Sequence, residues 1–279
     1  MTVDCWGNKN GRVKFYLLAS ALVLILALIR IASLPYHVDL PRLSSHQNGY
    51  YDYEGIIHWH TDLSGDSFGT YKDLADISNR YHIDFLITTE HNNLMALERH
   101  EEGWYGHMLM LAGIESTRKE GYLLGFNVLK YTTRLAPTDA FLAEAARSGG
   151  FTIVAHPKNP RWHWRGGIDQ RIVGQEILDL TDQFNTAPLW LILKGALFFP
   201  FNPPSGFIQI YQRPSETLKM WDEETAQRHF TGIYASDAHQ SIRLLGKHMI
   251  CFPRADYILP IAHNHVILPA PFFKGACRG

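Results

Sequence analysis

A chain of 279 residues with 46% hydrophobic and 13% aromatic side chains is long enough to bury one large core or two small ones. Lys and Arg number 26 against 27 Asp and Glu, a formal net charge of −1, so no basic field exists to hold a long nucleic-acid backbone. Three cysteines, Cys5, Cys251 and Cys277, are too few and too scattered for a disulfide framework or a thiolate zinc site, although the last two could pair in an oxidising compartment; 15 histidines make imidazole the place to look for chemistry.

The first element is "FYLLASALVLILALI", residues 15–29, which carries no charge. Extended to residue 34 it reaches 20 residues, about 30 Å as a helix, which is one bilayer crossing. Arg30 near its far end can snorkel to the headgroups. Lys9, Arg12 and Lys14 precede the run, so the positive-inside bias places residues 1–14 in the cytoplasm and the rest of the chain outside. No small-x-small cleavage site follows, which favours an uncleaved single-pass anchor at 15–34 over a signal peptide. Residues 35–50 are polar and hold two prolines, a linker; the folded domain is expected over 51–279.

Within that domain, strand-length apolar runs recur at 55–58, 84–88, 108–114, 151–155 and 232–235. Segments of helical composition lie between them at 71–81, 138–149 and 215–230. This alternation predicts an α/β fold with a largely parallel sheet or barrel. There is no internal repeat or low-complexity tract.

The run at 55–58 ends in "HWH". On a strand, residues i and i+2 share a face about 6.6 Å apart, so His58 and His60 are expected to look at one point and could share a zinc-like ion. Alone this is weak, because "HNH" at His263 and His265 is a second such pair, read as structural. The other apolar runs strengthen it, because they end in "TEH", "GIES", "AHP" and "SDAH". In a parallel α/β fold those strand ends share one edge, which would gather His58, His60, His91, Glu115, His156, Asp237 and His239 around one pocket.

In their order and content these motifs resemble the PHP (polymerase and histidinol phosphatase) family, whose members carry H-x-H, T-D-H, G-x-E, A-H-P and S-D-A-H. The resemblance implies a distorted seven-stranded β/α barrel with two or three divalent metal ions at its C-terminal face, hydrolysing a small phosphomonoester or phosphodiester. It implies that His58, His60, Glu115 and Asp237 hold a first ion. Glu115 would bridge to a second ion bound by His156, and Asp66, His91 and His239 would hold a third. Glu115, Asp237 and His239 would be the catalytic residues. Two departures stand out. The strand after G-x-E has Gly121 and Tyr122 where family members commonly supply a histidine to the second ion, and Glu90 replaces the usual aspartate before His91. Glu176 resembles a further family acid, and a solvated or capping carboxylate accounts for it equally well.

The chemistry expected of such a site is a water whose pKa is lowered toward neutrality by divalent ions, which then attacks phosphorus as hydroxide. Histidine-rich donors favour Zn, Mn or Fe over Mg. In the loop "KNPRWHWRGG", Lys158, Arg161 and Arg165 are candidates to bind phosphate oxygens, and Trp162 and Trp164 offer flat surfaces. The expected partners are a small phosphorylated substrate or short oligonucleotide, and the membrane through the N-terminal helix. Two alternatives are kept: hydrolysis of non-phosphate esters, amides or carbamates on the same ions, as in carbaryl hydrolases, and a non-catalytic metal-binding membrane module.

Overall fold

Residues 14, 16–25, 46–47, 49–244 and 248–271 are described by the computed structural model. The strands are β1 (His46–Gln47), β2 (Tyr50–Trp59), β3 (Phe85–His91), β4 (Gly103–Tyr105), β5 (Met108–Arg118), β6 (Gly121–Phe126), β7 (Phe151–Ala155), β8 (Ile172–Asp179) and β9 (Thr231–Ala235), the longer ones built on β-branched and aliphatic residues. After the last of these come β10 (Ile242–Leu244), β11 (His248–Ile250) and β12 (Asn264–Leu268).

Seven of these strands wrap into a nearly closed barrel. β2, β3 and β5 run parallel, β6 reverses, and β7, β8 and β9 resume the first direction. The parallel α/β barrel expected from the sequence is therefore present in its coarse form, with one antiparallel strand. Closure between β9 and β2 is local: Ser236 N–H donates to the Ile57 carbonyl and His60 N–H to the Ala238 carbonyl, both at 3.1 Å. Lower down, β12 pairs antiparallel with β2, from Asn264 opposite Gly55 to Leu268 opposite Tyr51. The Asn264 carboxamide accepts from the Tyr234 N–H at 2.9 Å and donates to the Tyr234 carbonyl at 2.8 Å, joining β9 to β12 by a side chain.

Alternation along the strands separates two kinds of core. Ile57, Ile87, Leu124, Ile153, Ala155 and Ile233 pack together as one cluster. Their strand neighbours Ile56, Leu86, Leu123 and Val154 belong instead to the clusters shared with the surrounding helices. The helix Tyr71–Arg80 buries Tyr71, Leu74, Ala75 and Ser78, at i, i+3, i+4 and i+7. It starts at Thr70, whose side chain accepts from the Asp73 N–H. The helix Thr138–Arg147 covers the other cluster with Phe141, Leu142 and Ala145.

Half of the expected anchor at 15–34, and most of the linker, lie outside the described residues. Residues 16–25 are helical, and among the described residues no helix is long and apolar enough to cross a membrane. Cys251 is exposed as a free thiol, while Cys5 and Cys277 lie outside the described residues.

Candidate metal centre

At several strand ends the backbone leaves β geometry to present a functional side chain. His58 has φ 65°, His156 φ 49° and Asp237 φ 43°, all in the left-handed region that costs a non-glycine residue roughly 1–2 kcal/mol. His58 occupies a register shift between Ile57 and Trp59. The convergence of His58 and His60 expected from strand alternation therefore has a different cause. Their Nε2 atoms do meet, 3.1 Å apart, but through a bulge at His58 and with His60 one residue beyond the end of β2.

Fixed acceptors on the Nδ1 side set the orientation of four rings. Glu176 Oε1 accepts from His58 Nδ1 at 2.5 Å, and its other oxygen accepts from the His156 N–H at 2.6 Å. Ser64 Oγ donates to Glu90 Oε2 at 2.5 Å, so it accepts from His60 Nδ1 at 2.9 Å. Asp182 Oδ1 lies 3.1 Å from His156 Nδ1, and His239 Nδ1 donates to the Asp237 carbonyl at 3.0 Å. A proton held on each Nδ1 leaves the Nε2 lone pair turned inward.

Those inward atoms have the spacing of a ligand set. His58 Nε2 lies 3.3 Å from Asp237 Oδ1 and 3.6 Å from Glu115 Oε2, and His60 Nε2 lies 3.1 Å and 3.4 Å from the same two oxygens. Donors bonded at 2.0–2.1 Å to one tetrahedral ion stand about 3.3–3.4 Å apart. Asp237 Oδ1 and Glu115 Oε2 are both buried without a hydrogen bond of acceptable geometry. Two imidazole nitrogens and two carboxylate oxygens buried this close together form an arrangement that a cation relieves, once any proton on His58 Nε2 has left. The donor set therefore fits a divalent ion. Glu115 Oε1 points the other way, 3.2 Å from His156 Nε2, so this carboxylate touches two neighbouring groups.

A second, more open group adjoins the first. His91 Nε2 lies 3.1 Å from His239 Nε2 and 3.2 Å from Asp66 Oδ2, while His91 Nδ1 sits 2.7 Å from Glu115 Oε2. The His60 ring stacks against both His91 and His239, at 4.2 and 4.1 Å between centroids. All eight metal-ligand candidates from the sequence, His58, His60, Asp66, His91, Glu115, His156, Asp237 and His239, thus come together at the strand ends.

Charge and burial compete throughout. Burial alone would lower His58 and His156, but the surrounding carboxylates outweigh it and hold both well above the usual histidine range. His91, less buried, is pushed up to about 10 against its own desolvation by Asp66 and Glu115. His60 goes the other way, down to about 3, through burial and then the Coulombic influence of His239. Burial would raise Glu115 and Asp237, yet the histidines keep both well below the carboxylate range. Asp179, buried beside Asp182, Asp237 and Glu176, is raised well above it.

A cavity of about 510 Å³ opens over the cluster, with Glu115, Asp237 and His239 at its floor. Trp162 borders it, tilted against the His156 ring, and Tyr122 meets His156 edge-on at 5.8 Å. Lys158, Arg161 and Arg165 are exposed, and none of them lines this cavity; Lys158 borders a separate, shallower one beside Asp179 and Asp182. Trp164 is buried in the core under the loop. His263, just before β12, and His265 on it stand away from the cluster, paired with Glu54 and Asp52 respectively.

Sequence reasoning passed over Asp179, Asp182 and Ser64, and left Glu176 undecided. The signal for the acids was present: "IVGQEILD" is a β-branched run ending in an acid, the same pattern that marked the other strand ends. Glu90 is a buried acceptor for the Thr61 N–H and for the hydroxyls of Thr61, Ser64 and Tyr71. The departure from aspartate thus falls on a residue that holds the His60 loop.

No protein-family model matches the chain, and no curated protein matches it significantly. Among solved structures it is similar to a two-domain protein of Bacteroides vulgatus containing a predicted PHP-like metal-dependent phosphoesterase, with 16% identity and TM-score 0.46. That match covers 74% of this chain and 57% of the other, so the chain spans little more than half of that protein's length. It is also similar to a predicted metal-dependent phosphoesterase of Bifidobacterium adolescentis, with 12% identity and TM-score 0.43 over 74% of this chain and 94% of the other.

Proposed function

We propose that the chain is a PHP-type metal-dependent phosphoesterase acting on a small phosphomonoester or phosphodiester. The observation that carries this reading is the spacing of His58 Nε2, His60 Nε2, Asp237 Oδ1 and Glu115 Oε2, with two of these oxygens buried and unsatisfied. His58, His60, Asp237 and Glu115 would hold one ion, Glu115 and His156 a second, and Asp66, His91 and His239 a third. Divalent ions at these places would supply Lewis acidity, acidifying a water and neutralising charge on the phosphoryl oxygens. The imidazole donors favour Zn, Mn or Fe.

The chain's own contribution is orientation and exclusion of water. Glu176, Ser64 and Asp182 keep three imidazoles in the tautomer whose Nε2 faces the site. Trp162 and Tyr122 wall the cavity beside His156. His239, one-fifth exposed, borders the cavity beside Asp66, its ring fixed by the Asp237 carbonyl. An anchor at residues 15–34, with the domain on the extracytoplasmic side, is part of the same proposal.

Metal analysis of the purified full-length chain, with hydrolysis of p-nitrophenyl phosphate and its diester, tests it. At least two ions per chain and metal-dependent release of p-nitrophenol are expected. A second reading, hydrolysis of an uncharged ester, amide or carbamate, draws support from the lack of lysine and arginine among the described residues that line the cavity. Cleavage of p-nitrophenyl acetate or an aryl carbamate, with no phosphoester turnover by the metal-loaded protein, would decide for it.

A further inference from the structure

The helices Leu189–Phe198 and Pro203–Ile208 form a tight hairpin. Their backbones approach so closely at Gly195 and Gly206 that a Cβ on Gly195 would come within 2.7 Å of the Gly206 carbonyl oxygen. One side of the hairpin belongs to the domain: Phe207 lines the cavity, and Phe199 packs edge-on against Phe207 and Tyr257. The other side faces outward and is apolar. At 100° per residue, Leu189, Trp190, Leu193 and Leu197 fall within one arc of about 100°. They are 72%, 63%, 61% and 69% exposed, and Phe201 just beyond the helix is exposed too.

Single exposed leucines are ordinary, but a contiguous stripe of this kind marks a contact surface. Its chemistry suits a lipid surface. Aliphatic side chains occupy the middle, a tryptophan shares the face, and the single charge of the helix, Lys194, stands at its edge with a stem long enough to reach headgroups. The chain also carries the uncharged run at 15–29. Residues 35–45, eleven at full extension, span at most about 36–40 Å, more than the roughly 23–33 Å height of strands seven to ten residues long. A domain tethered by that run can therefore turn the hairpin toward the same bilayer.

The apolar surface continues inward. Phe184, just ahead of the hairpin, is half exposed and lines the cavity. Leu180, Phe207, Phe252 and Ile258 form an apolar wall of the cavity, beside the polar Thr181, Asn185 and Ser241, and among the described residues no lysine or arginine joins them. Sugar or base hydroxyls and amines placed against that wall would lose hydrogen bonds to water without replacement.

We infer that the hairpin 189–208 seats on a lipid bilayer and that the cavity behind it takes an amphiphilic phosphodiester, its phosphoryl group at the histidine cluster and its alkyl chain along the apolar wall. The substrate half rests on the phosphoesterase reading above. Water supplies the oxygen that joins phosphorus, and the P–O bond to one alcohol breaks. One proton of the water leaves with that alcohol, and the other goes to the monoester product or to buffer.

Two measurements on the full-length chain test this. In the first, the protein is reconstituted into phosphatidylcholine vesicles whose acyl chains are brominated near the headgroup, and tryptophan quenching is compared between the parent and Trp190→Phe. A quenched component that disappears in Trp190→Phe, and in the double variant Leu193→Asp with Leu197→Asp, is expected. Equal quenching with and without Trp190 overturns the docking, whether a protein or another segment of this chain covers the stripe instead. In the second, kcat/KM is measured for p-nitrophenyl alkyl phosphodiesters with four- and twelve-carbon chains, and a rise of at least about ten-fold is expected. No rise overturns the substrate assignment. Bis(p-nitrophenyl) phosphate is the control: if the metal-loaded protein does not hydrolyse it or either alkyl diester, the phosphoesterase reading itself falls, while the quenching result stands on its own.

Discussion

Replacing Glu176 by glutamine tests whether the orientation of the histidines, and not only their presence, makes the site. The carboxylate accepts two buried hydrogen bonds, from His58 Nδ1 at 2.5 Å and from the His156 N–H at 2.6 Å. An amide keeps the shape but has one acceptor and one donor end. If its oxygen faces His156, its NH2 meets the His58 Nδ1 proton, and the ring escapes only by moving that proton to Nε2, where it blocks the metal-facing lone pair. If the amide turns round, two donors face each other at the end of β7. Either way one charge-assisted bond of roughly 1.5–3 kcal/mol is lost. Partners of this kind, when removed, typically cost 10–100-fold in metal affinity, about 1.4–2.7 kcal/mol, which agrees with the loss of one such bond. Competition with a chromophoric chelator measures the affinity, and far-UV circular dichroism checks that the barrel is intact. A folded Glu176→Gln protein that binds metal as tightly as the parent would refute the reasoning.

Glu115→Gln should keep the fold yet lose about 10²-fold or more in phosphoester turnover together with metal content, because the carboxylate touching both neighbouring groups loses its charge; near-normal turnover would remove it from the machinery. Ser64→Ala cuts the link from Glu90 to His60 and should weaken metal binding about ten-fold without changing the circular dichroism spectrum, whereas unchanged affinity would make Ser64 a bystander. His58, His91 and His156 are held above the usual range, His91 at about 10, so the metal-free protein carries protons at neutral pH that a cation must expel. Affinity should therefore rise with pH between 6 and 9, and calorimetry in buffers of different ionisation heat should show net proton release; a pH-independent affinity with no release contradicts the assignment. The full-length chain should sediment with membranes and resist carbonate extraction, and its recovery as a soluble protein with residues 15–34 intact would eliminate the anchor.

The ligand types were legible because they follow apolar runs, and burial of a run leaves its end as the first place a polar side chain can face a cavity. That logic located the ligands at or near the ends of β2, β3, β7 and β9, and Glu115 inside β5, which runs on to Arg118. β8 also ends in an acid, but Gly174, Gln175 and Glu176 break up its apolar run, and Asp179 and Asp182 were lost with it. The local backbone was not legible. Nothing in "HWH" announces a left-handed His58, because the bulge is imposed by pairing with β3 and by the closure at Ser236. Nor did the basic loop reveal its direction: Lys158, Arg161 and Arg165 share it with Trp162, yet only the tryptophan reaches the cavity. The hairpin 189–208 was not singled out from the sequence, and only its packing through Gly195 shows which face is left to the outside.

The carboxamide of Asn264 satisfies both backbone groups of Tyr234. The last site residue is His239, so a fragment ending near residue 262 would contain the whole donor set and still lack the piece that ties β9 to β2 at the base. Opening there loosens the strand that carries Asp237, so the shortest fragment able to hold metal extends past the ligands to about Leu268. For a library of truncations, the boundary in metal retention should fall at this amide and not at the histidines, with Asn264→Ala mimicking the cut and Asn264→Asp, which keeps only the acceptor, landing between.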